Sequence, residues 1–338
     1  MKFIRQGELA KKILITDGLP GCGKTMLSPI LSSLSKVEMY YFAFEVEFIS
    51  RLFHFHEIKK DSALSLIRML TDYKLYNSMM SREVNFRHSD LSSVTRHHNY
   101  KEYLKRLKNV GNHTIPKLIE KKKPILHLTT HDLLNYSNII IDALAPRLTY
   151  VELIRHPIDM VNQQRLNMRD HYKNPRSIQV EFEYKNLPLP YWSSTWKNKF
   201  LKENNVNRAI FNIFNMYNDN IKNRKKLKKS LKNNYVCVPF EKFTVDPMPF
   251  LKKISKSLKN KITITTLKEM KEQKIPRKNF FNTPQIQIYK KVGGSLKDVV
   301  DREKDIERKI AIFKKSGATK KYLDLLKKIS KDYEKKYV

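Results

Sequence analysis

The stretch Gly18-Leu19-Pro20-Gly21-Cys22-Gly23-Lys24-Thr25 constrains this chain more than any other. It satisfies the pattern G-x-x-x-x-G-K-[ST] in full. Ahead of it runs Lys11-Lys12-Ile13-Leu14-Ile15-Thr16, a short β-branched apolar run that predicts a buried strand. Behind it, Met26 to Leu34 predicts a helix. Strand, glycine-rich turn and helix together form a phosphate cradle. Glycines adopt backbone angles that a Cβ forbids and let N–H groups approach an anion closely. The helix start adds unpaired donors and a positive dipole end, and Lys24 can reach a terminal anionic group. The alternative is a turn that only links a strand to a helix. Against it, the chain has eight glycines in all, and Gly18, Gly21 and Gly23 fall in this one turn.

Further strands are predicted at Pro124–Thr129, Leu148–Ile154 and Tyr235–Pro239, and one more within Val37–Phe53. Helices are predicted from Asp61 to about Met80, at Tyr100–Val110, Ser137–Leu144, from about Ile158, at Asn207–Lys232 and at Pro247–Leu258. Tyr172 to Trp196 carries Pro175, Pro188 and Pro190 and reads as a long irregular lid or binding loop. Leu296 to Tyr337 reads as an outer, lysine-rich helix pair. Alternation of strands and helices implies an α/β fold: a three-layer α/β/α domain of the P-loop type around a mostly parallel sheet. One domain is expected over 1–338, with a core over about 11–260, a helical insertion over about 50–120 and a helical C-terminal tail over about 295–338. Ligands of such sheets bind beyond the carboxyl ends of the strands. Three predicted strand ends carry chemistry: the glycine-rich turn, His131-Asp132, and Arg155-His156-Pro157.

The formal net charge is +34. That excess favours anionic partners such as nucleotides or polyanions; the alternative is a solvated lysine-rich surface. Specific nucleic-acid binding is not expected, because no basic motif interleaved with aromatics is present. Cys22 and Cys237, the two cysteines, give no disulfide framework and no zinc site. A reducing cytoplasm is the expected compartment. No signal-peptide pattern and no apolar run of membrane-spanning length is seen.

Three segments resemble the PAPS-dependent sulfotransferases. Leu19 to Thr25 is similar to the loop that holds the 5′-phosphosulfate of the donor. Tyr150-Val151-Glu152-Leu153-Ile154-Arg155-His156-Pro157-Ile158-Asp159 is similar to the strand and turn that begin the 3′-phosphate site. Val236 to Pro247 is similar to the later strand-and-helix segment Y-E-D-L-x-x-D-P. Thr130-His131 resembles the T-H pair that supplies the base in cytosolic members. The resemblance implies that Pro20, Gly21, Cys22, Gly23, Lys24, Thr25 and Met26 hold PAPS (3′-phosphoadenylyl sulfate) at its 5′ end. Arg155 and Gln163 hold its 3′-phosphate, and Lys24 and His131 are catalytic. Transfer would run in line to a small-molecule or saccharide acceptor, with no required metal.

This sequence also departs from the family. The family's basic residue after the loop proline is Gly21 here, with the charge at Lys24 instead. The serine of the 3′-phosphate site is Gln163, and the lysine before T-H is Thr129. The late R-K-G segment has a loose echo in Lys290-Lys291-Val292-Gly293-Gly294. Lys24-Thr25 equally fits an ATP-dependent small-molecule kinase, with Thr25 ligating Mg²⁺. A non-catalytic nucleotide- or polyanion-binding protein is the third reading, motivated by the charge.

Alternatives stand beside each candidate. Arg155 could pair with a nearby acid, and His131 could be a structural histidine with Asp132 as the fallback base. Arg82, Glu83, Asn85, Arg87, His88 and Asp90 could line an acceptor pocket or form a self-bonded turn. Trp192 and Trp196 could close over an acceptor or pack a lid onto the core. Asp142, after Ile139-Ile140-Ile141, is expected on a helix and not as a Mg²⁺ ligand.

Overall fold

The structure, a computed structural model, describes residues 1–90, 92–108, 112–168, 178–281 and 301–338. Its strands are β1 (Ile13–Asp17), β2 (Tyr41–Phe42), β3 (Leu126–Thr129), β4 (Leu148–Ile154), β5 (Glu181–Tyr184), β6 (Leu187–Pro190) and β7 (Tyr235–Pro239). Five of them form one sheet in the order β2-β3-β1-β4-β7, and every pairing in it is parallel. Ile13 faces Leu126 on one side and Leu148 on the other. All carboxyl ends therefore share one edge.

The apolar runs are continuous because both faces of the sheet are covered. All five residues of β1 and all seven of β4 are buried. Side chains alternate between faces with period two. Leu14, Val151, Leu153 and Val238 join one apolar cluster, while Ile13, Ile15, Leu148 and Tyr150 join the other.

Helix α1 (Lys24–Ser32) follows β1 and packs into the first cluster. Between β2 and β3 lie α2 (Phe44–His54), α3 (Lys60–Ser78), α4 (Tyr100–Arg106) and α5 (Ile115–Lys122). With α6 (Asn138–Leu144), α2, α3 and α5 supply the second cluster. Helix α7 (Pro157–Asn167) follows β4. Then come α8 (Lys197–Lys202) and α9 (Asn205–Leu231), and after β7 α10 (Phe240–Val245), α11 (Met248–Leu258) and α12 (Ile264–Glu272). The chain ends in α13 (Arg302–Lys315) and α14 (Lys320–Tyr337).

Two elements differ from the sequence reading. The stretch expected to be irregular contains an antiparallel hairpin, β5–β6, in which Phe182 faces Leu189. Pro188 and Pro190 argue against a strand inside a sheet, but a two-stranded ribbon has free edges that need no proline N–H. Helix α14 carries its lysines on one side only. Its other side, with Tyr322, Leu323, Leu326, Ile329 and Tyr333, is buried in the first cluster. The Lys290–Gly294 echo lies outside the described residues.

Asp17 ties the functional edge together. Its buried carboxylate accepts from Thr130 Oγ1 (2.8 Å), Leu133 N (3.0 Å), Leu134 N (3.0 Å) and Tyr150 OH (2.7 Å). Four donors satisfy a charge that burial alone would penalise heavily. The end of β1 is thereby tied to the turn after β3 and to a side chain of β4.

Candidate functional site

Two glycines fix the loop between β1 and α1. Gly18 has φ +155°, and a Cβ there would lie 2.3 Å from the Leu153 carbonyl oxygen and 2.6 Å from Cys22 Sγ. Gly23 has φ +105°, and its Cβ would lie 2.7 Å from the Phe240 ring. No other residue type fits either place. Gly23 caps α1, and no side chain bonds the helix's first N–H groups. The Lys24 and Thr25 N–H groups have no intrahelical acceptor and stand at the positive end of the dipole.

Lys24 is 6% exposed. Its Nζ donates to the carbonyls of Gly18 and Leu19, folding the ammonium back over the loop. The Pro20 carbonyl accepts from Gln164 Nε2 at 3.4 Å. Cys22 is buried, and burial pushes its thiol up. Thr25 is half-buried at the helix start. Met26 turns its side chain into the core, and its N–H is already bonded to Gly23 O at 3.0 Å. It therefore has neither group free in this conformation.

On the far side of the loop, Arg155 Nη1 donates to Gly21 O at 3.1 Å. Its guanidinium lies 4.2 Å from the Phe240 ring centroid. Gln163 packs against Gly21 and donates to Asn167 Oδ1 at 2.9 Å. Sequence reasoning missed Arg277. Its guanidinium lies 5.8 Å from the same Phe240 ring, and its backbone N–H is anchored to Thr244 O at 2.7 Å. Burial and the neighbouring Arg155 charge bring Arg277 down to about 10, and its buried Nη1 has no hydrogen-bond partner. Two like charges against one ring, each felt by the other, favour an anion beside them. The available sequence signal was the basic pair Arg277-Lys278 just past Pro276.

His131 sits two residues past β3, turned towards α2. Its ring lies near-parallel to Phe42 (5.7 Å between centroids, 15°) and Phe44 (5.6 Å, 13°). Its Nδ1 is 3.1 Å from Glu47 Oε1. Asp132 is buried between two donors, Arg51 Nη2 at 2.7 Å and Tyr191 OH at 2.7 Å. Burial pushes its carboxyl up, against the pull of Arg51. Asp132 is thus fully engaged, which weakens it as a fallback base. Arg51 also stacks 4.1 Å over the Tyr191 ring. Glu47, Arg51 and Tyr191 were not singled out from the sequence. An i,i+4 Glu–Arg pair on a helix ordinarily reads as a solvated surface pair.

The sequence expects Gly23, His131 and Arg155 around one cleft. All three stand at the carboxyl edge of the sheet. The cavity there is walled by Gly18, Leu19, Asp132, Arg155, Arg224 and Tyr333, among others, and of the three expected residues only Arg155 lines it; Gly23 and His131 do not. Arg224 in that wall is clamped to the buried Glu152 through both carboxylate oxygens, at 2.8 and 2.6 Å. Beside it Glu241, from the segment after β7, accepts from His156 N (2.9 Å) and Tyr333 OH (2.5 Å). These bonds bring α14 over the site.

Among the other candidates, Asn85 bonds Asp90 and Ser92, and Arg87 bonds Ser89, so these side chains are engaged within their own turn. Trp196 is buried and packs edge-on to Phe200 and Phe211. Asp142 lies on α6 and pairs with Lys60 at 2.6 Å. Among the described residues, no group of three or more His, Cys, Asp or Glu converges to hold a metal ion. No described helix is long and apolar enough to cross a membrane.

No family model matches the chain, and no curated protein matches it. Solved structures do align with it at low identity. A sulfotransferase domain of the Synechococcus olefin synthase is 13% identical with a TM-score of 0.41, over 93% of this chain and 98% of that one. A sulfotransferase domain of the curacin biosynthetic pathway is 12% identical with a TM-score of 0.43, over 89% and 97%. A sulfotransferase from Alicyclobacillus acidocaldarius is 11% identical with a TM-score of 0.37, over 90% and 91%.

Proposed function

We propose that this chain is a sulfotransferase that moves a sulfuryl group from PAPS to a hydroxyl or amine acceptor. The observation that carries this reading is the pair Arg155 and Arg277 about Phe240, behind the glycine-rich loop. A donor with a single phosphate chain needs one cationic cradle. PAPS carries a second, separate 3′-phosphate and needs another. In this reading the N–H groups of Lys24 and Thr25 and the Lys24 ammonium bind the 5′-phosphosulfate, and Arg155 and Arg277 bind the 3′-phosphate through charge-assisted bonds. Gln163 reaches that phosphate only after giving up Asn167.

His131 Nε2 takes the proton of the acceptor. The acceptor oxygen or nitrogen then bonds to sulfur as the bond from sulfur to the 5′-phosphate oxygen breaks. The products are the sulfated acceptor and adenosine 3′,5′-bisphosphate. Lys24 stabilises charge developing on the bridging and sulfuryl oxygens. The +34 charge favours an anionic acceptor such as a saccharide.

A kinase reading rests on Lys24-Thr25, which would serve the phosphates of ATP equally well, but gives the arginine pair no role. The two separate at the arginines. Arg155→Ala and Arg277→Ala should each weaken adenosine 3′,5′-bisphosphate by at least about tenfold, the low end of a charge-assisted bond. Binding of 5′-AMP, measured by the same calorimetry, should change little. Equal losses for both ligands would remove the 3′-phosphate assignment.

A further inference from the structure

Glu47 Oε1 makes two contacts with one residue. It accepts the backbone N–H of His131 at 2.8 Å and lies 3.1 Å from that residue's Nδ1. The other carboxylate oxygen, Oε2, accepts from Arg51 Nη2 at 2.8 Å. The same nitrogen of Arg51 reaches His131 O at 3.0 Å and Asp132 Oδ1 at 2.7 Å. Tyr191 OH closes the chain on Asp132 Oδ2. Glu47, Arg51, Asp132 and Tyr191 are all buried, at 1, 3, 5 and 5% exposure. The His131 side chain is 28% exposed.

A carboxylate paired to a guanidinium only accepts hydrogen bonds. A proton on Nδ1 satisfies the 3.1 Å contact, whereas a lone pair on Nδ1 would face a charged oxygen. The contact therefore selects the Nδ1–H tautomer and leaves Nε2 as the basic nitrogen. Phe42 and Phe44 lie near-parallel to the ring and oppose its rotation. Arg51 holds the carboxylate from behind, and Asp132 holds Arg51. Each link restricts the next.

We propose that Glu47 is a positioning residue that fixes His131 in the Nδ1–H tautomer, braced by Arg51 and Asp132, so that Nε2 is presented as the base. The catalytic half of this proposal rests on the sulfuryl-transfer reading. The tautomer half does not, and the two can fail separately.

The test is ¹⁵N NMR of imidazole-labelled protein together with steady-state kinetics. Wild-type His131 in its neutral form, assigned by its absence in His131→Gln, should show a protonated Nδ1 and a bare Nε2. Glu47→Ala removes the acceptor that faces Nδ1. Glu47→Asp keeps the charge for Arg51 but draws the carboxylate back from Nδ1. Both variants should lose the Nδ1–H signature, shifting towards Nε2–H. Both should lower kcat with PAPS at least about tenfold, with KM for PAPS within about twofold. Having two variants guards against one of them failing to fold. An Nε2–H signature in the wild type, or an intact Nδ1–H signature in a folded variant, would overturn the proposal. Wild-type protein that does not turn over PAPS would remove the functional reading, and the NMR signature would still decide what Glu47 does.

Discussion

Lys24→Met should abolish most turnover while leaving the fold in place. The methionine keeps the buried stem and removes the ammonium, so packing changes little. The charge that bonds the Gly18 and Leu19 carbonyls is the one that would meet the transferring group. Removing a preorganised donor of this kind lowers kcat by about 10²–10³. Donor affinity should fall at least about tenfold as well. Circular dichroism and the melting temperature check that the loop change is local. Wild-type turnover with unchanged donor affinity would leave Lys24 as a loop brace and nothing more.

Acid should destabilise this protein well above the range where carboxylates titrate. His127 lies inside β3, with Nε2 2.8 Å from Thr16 Oγ1 and Nδ1 2.8 Å from Ser32 Oγ. Burial pushes it down to about 3, and burial with the neighbouring His98 pushes His97 down to about 3. Both stay neutral in the folded chain while the unfolded chain takes up protons near pH 6.5. The unfolded state therefore binds more protons, and stability rises with pH. The contribution is complete above about pH 6.5 and is lost progressively as pH falls towards about 3. Between pH 7.5 and 5.0 each histidine should remove about 2 kcal/mol, roughly 4 kcal/mol for the pair. That is a large part of an ordinary domain's stability. Urea titrations at the two pH values measure it, and His127→Asn should reduce the fall to about 2 kcal/mol. A flat profile over this range would mean that water reaches one or both rings.

Local signals carried the scaffold. Ile13–Thr16 and Leu148–Ile154 are apolar runs bounded by turn residues, and both became strands of the central sheet. The glycine-rich turn was visible because Gly18 and Gly23 occupy backbone angles and spaces closed to other residues. The hairpin β5–β6 was hidden by its prolines, which carry the opposite prior. The inner role of α14 was hidden by lysines that dominate its composition, although Tyr322, Leu326, Ile329 and Tyr333 keep a helical period.

The residues around His131 and Arg155 were harder to see for a physical reason. Glu47 and Arg51 matter because β3 delivers His131 and Asp132 to them from 84 and 81 positions away. Arg277 meets Arg155 over a ring supplied by a third segment. Such meetings are properties of the packed chain, and no spacing along the sequence encodes them.

The central claim is that the loop and the arginine pair together take a nucleotide with two separate phosphate sites. Calorimetry of the wild-type protein with adenosine 3′,5′-bisphosphate, against ADP with Mg²⁺, tests it most directly. The account predicts binding of the first at least about tenfold tighter than the second, a difference of about 1.4 kcal/mol or more. Preference for ADP with Mg²⁺ would contradict it and return the chain to the ATP-dependent reading.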